Sequence, residues 1–157
     1  MKVQDIYWET PLHLALDSGQ LEVAYILTEH GANAMAQNND GNTTLHHALT
    51  QGQVKVARIF IEQGSGVTIQ NNDWQTPLHL VSVRGQVEVA RILIGHGADL
   101  MAQNNDGNTP LHLALQEGQA ENARILIEHG AETKTVNKDG GISGFASGTS
   151  GSLLQVC

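Results

Sequence analysis

A short motif that returns every 33 residues is the feature that most constrains this chain. The motif begins at Thr10 as TPLHLAL and starts again at Thr43, Thr76 and Thr109, with no insertion or deletion between copies. Small residues keep the same period: Gly19, Gly52, Gly85 and Gly118, then Ala24, Ala57, Ala90 and Ala123. A fixed period in this range is typical of stacked repeat units. The sequence therefore predicts a linear array and not a single closed globule.

The motif predicts a short helix at the start of each unit. Thr10 is a favourable N-cap residue, and Pro11 suits the first helical position, where its missing N–H has no helical partner to lose. His13 takes the third helical position, from which an imidazole can hydrogen-bond the cap and the neighbouring repeat. Gly19 ends the helix because glycine accepts the left-handed conformation at low cost.

A second helix and a polar turn complete each unit. In the first unit the helix is expected over about residues 20–29, where apolar residues recur at helical spacing, and it closes at His30-Gly31. Residues 32–42 are rich in Asn, Asp and Gly and predict an extended turn, here called a finger, that projects from the helix pair.

Such short helices need their neighbours for stability. Isolated helices below about 12–15 residues are marginal in water, so stacking of adjacent units has to stabilise them. First-helix residues predicted to pack along the array are Leu12, Leu45, Leu78 and Leu111, with Ala15, Ala48, Val81 and Ala114. The facing layer is predicted to include Ile26, Ile59, Ile92 and Ile125 of the second helices.

The period, the TPLH motif, the glycine in mid-repeat and the Gly-Ala ending followed by Asn, Asp or Glu resemble the ankyrin repeat family. The resemblance covers about residues 5–136 in four units, 5–37, 38–70, 71–103 and 104–136. It implies an all-α ankyrin-repeat solenoid of stacked helix-turn-helix units with projecting β-turn fingers. We expect the repeat domain to occupy residues 1–138. Residues 139–157, rich in Gly and Ser, would form a flexible tail or a degenerate cap.

The resemblance also implies a surface for a protein partner, because family members usually bind partners on a concave face made of finger tips and first helices. We call the corresponding residues of this chain the contact face. Its finger residues are Tyr7, Trp8, Glu9, Asp40, Asn42, Asp73, Trp74, Gln75, Asp106 and Asn108. Its first-helix residues are Asp17, Ser18, Thr50, Gln51, Val83, Arg84, Gln116 and Glu117.

Two tryptophans depart from the family pattern. Trp8 and Trp74 stand where the other fingers carry Gly41 and Gly107. A left-handed backbone at this position would cost a bulky residue about 1 kcal/mol. One interpretation is that the indoles are anchors for a partner, since Trp is common at binding hot spots. The other interpretation is that each indole folds over the neighbouring finger as a hydrophobic lid.

A third departure lies in the last unit. Asn122 stands where the other second helices have Val23, Val56 and Val89. Because terminal repeats are commonly polar, Asn122 is interpreted, with Ala120 and Glu121, as part of a solvated end face.

Composition limits the classes of partner and compartment. The formal net charge is −8 and the pI about 5.3, which argues against a nucleic-acid or anionic-membrane surface. The single cysteine, Cys157, cannot form a disulfide within the chain. Asp5 and Glu9 interrupt the apolar stretch that a signal peptide needs, and no segment approaches the length of a membrane span. We expect a cytoplasmic protein.

The residue pattern predicts neither an enzyme nor a metal or cofactor site. His13, His46, His79 and His112 form one row with a 33-residue period, and neighbours in it would lie about 10 Å apart, too far to share one ion. The adjacent pair His46-His47 has no obvious third ligand. No nucleophile, phosphate-loop, dinucleotide or zinc-protease motif is present.

The function expected from these observations is that of a non-enzymatic protein–protein interaction module, which binds a protein partner through the contact face. We expect a monomer. The alternative is a structural spacer or a self-associating segment of a longer ankyrin array, which would stack end to end through its outer repeats.

Overall fold

A computed structural model describes residues 6–64 and 66–143 and places eight helices along them. The helices are α1 (Pro11–Asp17), α2 (Leu21–Glu29), α3 (Thr44–Thr50), α4 (Val54–Glu62), α5 (Pro77–Arg84), α6 (Val87–Gly95), α7 (Pro110–Gln116) and α8 (Ala120–Glu128). Each 33-residue unit contains two of these helices, beginning with α1 and α2 in the first unit. The prediction of an all-α repeat solenoid is confirmed, and the observed helix ends lie within one residue of the predicted ones.

Every first helix begins with a capping box built from threonine and histidine. In α1 the backbone N–H of Thr10 donates to His13 Nδ1 at 3.1 Å, and the backbone N–H of His13 donates to Thr10 Oγ1 at 3.4 Å. The same reciprocal pair begins α3, α5 and α7. The histidine thus satisfies backbone groups that a helix start otherwise leaves without partners.

The same histidines tie each unit to the next. Because Nδ1 accepts, the ring proton is on Nε2, which donates to the carbonyl oxygen just before the next cap. His46 donates in this way to Gln75 O at 3.1 Å and His79 to Asn108 O at 3.0 Å. Burial is the largest cause that lowers the pKa of both rings, for His46 from 6.5 to about 4. The histidine row is therefore a structural element of the stack, as its spacing predicted.

Polar side chains fix the ends of the second helices. The glutamines before α4, α6 and α8 reach back to the preceding unit, and Gln53 Nε2 for example donates to Leu16 O at 2.6 Å. At the other end, the Nδ1 atoms of His30, His96 and His129 each bond the carbonyl four residues earlier. These bonds complete the last turn of the helix.

The core runs as parallel rows of apolar side chains through the stack. Helices α1, α3, α5 and α7 pack in sequence as one layer, and α4, α6 and α8 form a second. The predicted Leu row at positions 12, 45, 78 and 111 is at most 1 % exposed, and the predicted Ala/Val row is buried beside it. This burial confirms that neighbouring units stabilise one another.

The predicted isoleucine row needs correction. Ile26 is 51 % exposed, Ile59 and Ile92 are half-buried, and only Ile125 is fully covered. The buried row lies one residue later, where Phe60, Leu93 and Leu126 are at most 1 % exposed. Those residues stand three positions after the buried alanine row and share its helix face, whereas the isoleucines lie about 100° away at its edge.

The interpretation of Asn122 as a solvated residue is wrong. Its side chain is 1 % exposed, and Nδ2 donates to Val81 O at 2.8 Å. The position faces the preceding unit and not the end of the array, as Val56 and Val89 do with 2 % and 0 % exposure. The buried Oδ1 atom makes no hydrogen bond within the described residues.

The fingers form a hydrogen-bonded ladder along one side of the array. The backbone N–H of Asn39 donates to Tyr7 O at 3.0 Å, and that of Asn72 donates to Asp40 O at 2.9 Å. The two following fingers repeat this bond between Asn105 and Asp73 and between Lys138 and Asp106. Each finger tip is therefore fixed to the next at the backbone.

The described part of the predicted tail continues this ladder. Residues 139–143 complete a fifth finger, in which Gly141 O accepts from His112 Nε2 at 3.2 Å and Ser143 Oγ donates to Glu132 O at 2.8 Å. Residues 144–157 lie outside the described residues, so the division into a domain and a tail stays a prediction.

Candidate functional site

Most residues of the contact face are accessible to a partner. The exposed members are Tyr7, Trp8, Asp17, Ser18, Asp40, Thr50, Gln51, Asp73, Trp74, Arg84, Asp106, Gln116 and Glu117. Four more are half-buried, namely Glu9, Asn42, Gln75 and Val83.

Asn108 is the member that the structure removes from this surface. It is 6 % exposed, its Oδ1 accepts from Asn137 Nδ2 at 2.7 Å, and its backbone N–H donates to Asn104 Oδ1 at 2.9 Å. The adjoining finger covers this side chain and bonds its amide oxygen, because the position sits at the base of the finger, between two units. Asn108 supports the finger stack and is not available for contact.

Local asparagine geometry sets the shape of each finger. Asn71 Oδ1 accepts the backbone N–H groups of Asp73 at 3.0 Å and Gln75 at 2.9 Å, which closes a tight turn around Trp74. Asn38 and Asn104 close the second and fourth fingers in the same way. The turns and the backbone ladder together hold the finger tips in a fixed row.

The two tryptophans hold a conformation that glycine prefers. Trp8 has φ 62° and Trp74 φ 60°, and no other non-glycine residue among those described has a positive φ. The equivalent Gly41 and Gly107 have φ 74° and 75°. A left-handed backbone is therefore required at this position, and tryptophan there carries strain of about 1 kcal/mol.

Both indoles remain largely accessible in spite of that strain. The exposed fractions are 60 % for Trp8 and 58 % for Trp74, and the neighbouring Tyr7 is 61 % exposed. A side chain that folded over the next finger as a lid would lose most of its exposure. These fractions therefore favour the anchor interpretation over the lid interpretation.

A second feature of the contact face joins the first finger to two helices. Ligand-type atoms of Glu9, Asp17 and His47 all lie within 4.8 Å of one another. His47 Nδ1 is 2.7 Å from Asp17 Oδ1, which links α3 to the end of α1. This is the one such group of three or more in the described ranges.

The hydrogen bonds of His47 determine what this group can hold. Asn38 Oδ1 accepts two backbone N–H groups, so its amide Nδ2 faces His47 Nε2 at 3.3 Å and donates to it. His47 Nδ1 then carries a proton and donates it to Asp17. A metal ion on Nδ1 would move that proton to Nε2, against the Asn38 N–H. The arrangement thus favours a carboxylate pair held by a histidine over a metal centre.

Sequence reasoning missed this cluster because its members come from three separate elements. Comparison among the repeats carries a signal: His47 stands where the other units have Leu14, Leu80 and Leu113. Glu9 and Asp17 are likewise the acidic members of rows that are neutral elsewhere. All three departures from the repeat meet at one place.

Charge is distributed unevenly around the array. The contact face has six carboxylates, at Glu9, Asp17, Asp40, Asp73, Asp106 and Glu117, against the single cation Arg84. The second helices pair their charges: Arg58 bonds Glu88, and Arg124 bonds both Glu121 and Glu128. The contact face is therefore the more strongly acidic side.

None of the described helices has the length and apolar character needed to cross a membrane.

A family model for ankyrin repeats (3 copies) matches residues 1–71 and 59–137, which together make up most of the chain. Comparison with curated proteins finds no match.

Proposed function

The chain belongs to the ankyrin repeat family, and we propose that it is a non-enzymatic module that holds a protein partner against its contact face. Ankyrin repeats generally mediate protein–protein interactions. The finger ladder supports this function because it fixes the contact residues before binding, so that little conformational entropy is lost in the complex.

One observation carries the proposal most directly. Trp8 and Trp74 keep large, accessible indoles on a left-handed backbone that sibling repeats give to glycine. Strain of this kind concentrates at functional positions, and exposed tryptophan is a common binding anchor. Tyr7 extends the first of these two aromatic sites.

The test uses the substitutions that the sibling repeats already contain. Partners captured by the intact chain are identified by mass spectrometry, and their affinity is measured for the chain and for the double variant Trp8→Gly/Trp74→Gly. We expect the double variant to fold and to bind at least about tenfold more weakly. The matched control is Ile127→Ala, which removes a 45 % exposed apolar side chain from α8.

The outcome that would reject these anchors is unchanged affinity of a double variant that still unfolds cooperatively on heating. Loss of affinity in Ile127→Ala alone would move the proposed surface to the second helices.

A second candidate function, end-to-end association, has an observation of its own. Val23 in the first unit is 40 % exposed, whereas its counterparts Val56 and Val89 are covered by a preceding unit and are 2 % and 0 % exposed. Ile26 beside it is 51 % exposed. Light scattering over a range of concentrations tests this function, with Val23→Glu expected to abolish any association; a strict monomer at all concentrations rejects it.

A further inference from the structure

The contact face combines strained aromatic anchors with an excess of carboxylates, and this combination selects one class of partner. Resting on the function proposed above, we propose that the contact face binds an extended, basic polypeptide segment. An arginine of that segment sits between Trp8, Glu9 and Asp17, and further cationic side chains follow along the row of finger aspartates.

The first part of the argument is the chemistry of the end site. Trp8 is 60 % exposed, and the adjoining Glu9 carboxylate lies within 4.8 Å of the Asp17 carboxylate. His47 Nδ1 donates to one oxygen of Asp17, which orients that carboxylate. A guanidinium group suits this combination of side chains, because it stacks on aromatic rings and donates two N–H bonds at once to a carboxylate.

The second part is the spacing of the aspartates. Asp40, Asp73 and Asp106 are exposed at equivalent positions of successive fingers, and the backbone carbonyl of each accepts a bond from the next finger. Stacked helix pairs advance by about 10 Å per unit, and an extended segment in the polyproline II conformation advances by about 9 Å per turn of three residues. Cationic side chains three residues apart share one face of such a segment and would therefore meet successive aspartates.

The third part is the contrast with the opposite side of the molecule. Arg58, Arg91 and Arg124 all lie on second helices, where glutamates pair with them. On the contact face Arg84 is the only cation, and no ion pair joins it or the three finger aspartates to another described residue. A basic segment would neutralise like charges that otherwise repel one another along the row.

The experiment uses the intrinsic fluorescence of the intact chain, since its two tryptophans both belong to the contact face. The probe is a synthetic peptide of about 12 residues with arginine at every third position. Two comparison peptides have the same length: one groups the arginines together, and one replaces them with glutamate. We expect saturable binding of the first peptide that weakens as salt is added, weaker binding of the grouped peptide and none of the acidic one.

Variants separate the proposed site from general charge attraction. We expect Glu9→Gln/Asp17→Asn to weaken binding of the periodic peptide by about tenfold. The matched control Glu29→Gln/Glu62→Gln removes two exposed carboxylates from the ends of α2 and α4 and should leave the affinity within about twofold. Equal losses in both pairs, or equal binding of all three peptides, would overturn the inference.

Failure of this inference is distinguishable from failure of the proposed function. A captured partner that needs the two indoles, yet is displaced neither by the basic peptide nor by salt, upholds the function and overturns the basic segment. A partner that binds equally well without the indoles rejects the anchors themselves.

Discussion

At the scale of single residues, the same position can serve two purposes in different repeats. Gly41 leaves no space for a side chain, because an added Cβ would lie 2.8 Å from the backbone nitrogen of Asn72. Trp74 occupies the equivalent position of the next unit with nearly the same backbone angle. The repeat frame thus tolerates an indole there only at a cost in backbone strain, which is consistent with a role in contact.

The strain at Trp74 gives a prediction that is independent of any partner. Trp74→Gly and Trp74→Ala lose the same indole contacts, but only alanine keeps a Cβ at positive φ. We expect the glycine variant to be more stable than the alanine variant by about 1 kcal/mol, the reverse of the usual order. Urea unfolding measures both.

The control for this comparison is Arg91, an exposed residue in the middle of α6. There the alanine variant should be the more stable by a similar amount, because glycine weakens a helix interior. Equal stability of Trp74→Gly and Trp74→Ala would contradict the strain at this position.

Asn122 gives a second prediction at the residue scale. Asn122→Val removes a buried carbonyl oxygen that has no hydrogen-bond partner in the described part of the chain, and it restores the apolar side chain found at Val56 and Val89. Val81 O keeps its bond from the backbone N–H of Gln86. We expect the free energy of unfolding to rise by about 1 kcal/mol, measured by chemical denaturation. The reverse substitution Val89→Asn should lower the free energy of unfolding. A loss of stability in Asn122→Val would show that the hydrogen bond from Asn122 Nδ2 to Val81 O outweighs the cost of burying Asn122 Oδ1.

At the scale of helices, the histidine capping boxes make the stack sensitive to acid. The rings of His13, His46 and His79 accept at Nδ1 and donate at Nε2, so protonation would place a second donor where backbone groups also donate. The neutral ring is thus built into the start of α1, α3 and α5. Protonation of these rings would therefore weaken both the helix starts and the contacts between adjacent units.

The pH dependence follows from the pKa of His46, which falls from 6.5 in the unfolded chain to about 4 in the fold. Above the unfolded value both states are neutral and the stability is fully present. As the pH falls below 6.5, the unfolded state takes up the proton first, and the free energy of unfolding declines until the folded pKa is passed. Between about pH 7 and about pH 5 this one residue should remove roughly 2 kcal/mol.

Urea unfolding at the two pH values checks this expectation. His46→Gln is the matched variant, because glutamine can also complete a capping box from the third helical position. We expect the variant to be less stable at neutral pH and less dependent on pH. A variant with the same pH dependence as the intact chain would show that His46 does not titrate on unfolding.

At the scale of the whole molecule, stability is unevenly distributed along the array. Interior units are covered by a neighbour on both sides, but α2 exposes Val23 and Ile26, whose counterparts in later units are more buried. In a linear array the stability of a unit is the sum of its intrinsic folding free energy and the free energies of its interfaces with neighbouring units. A unit with one exposed face is therefore less stable than an interior unit.

This distribution predicts local opening at the first unit. Backbone amides of α2 should exchange with deuterium faster than those of α4 and α6, as followed by mass spectrometry of peptic fragments. Addition of a partner across the contact face should slow exchange in the fingers more than in the second helices. Uniform protection of α2, α4 and α6 would contradict a repeat-by-repeat distribution of stability.

Much of this architecture could be predicted from the sequence because its determinants are local and repeated. The TPLH motif specifies a cap, a first turn and a buried leucine within a few residues, and the 33-residue period repeats that information for every unit. The left-handed backbone at Trp8 could be predicted in the same way, by comparison with Gly41 in the next copy.

The tertiary structure decided the features that depend on contacts between units. The sequence predicts Asn122 at a solvated end face, but in the structure its side chain is buried and bonds Val81 O of the preceding unit. The isoleucine row fell at the edge of the helix face, because small differences in helix rotation decide which of two apolar neighbours is buried. Glu9, Asp17 and His47 are distant in the chain and meet only after two units stack. Periodicity thus specifies the unit, whereas packing between units decides which side chains are buried and which converge.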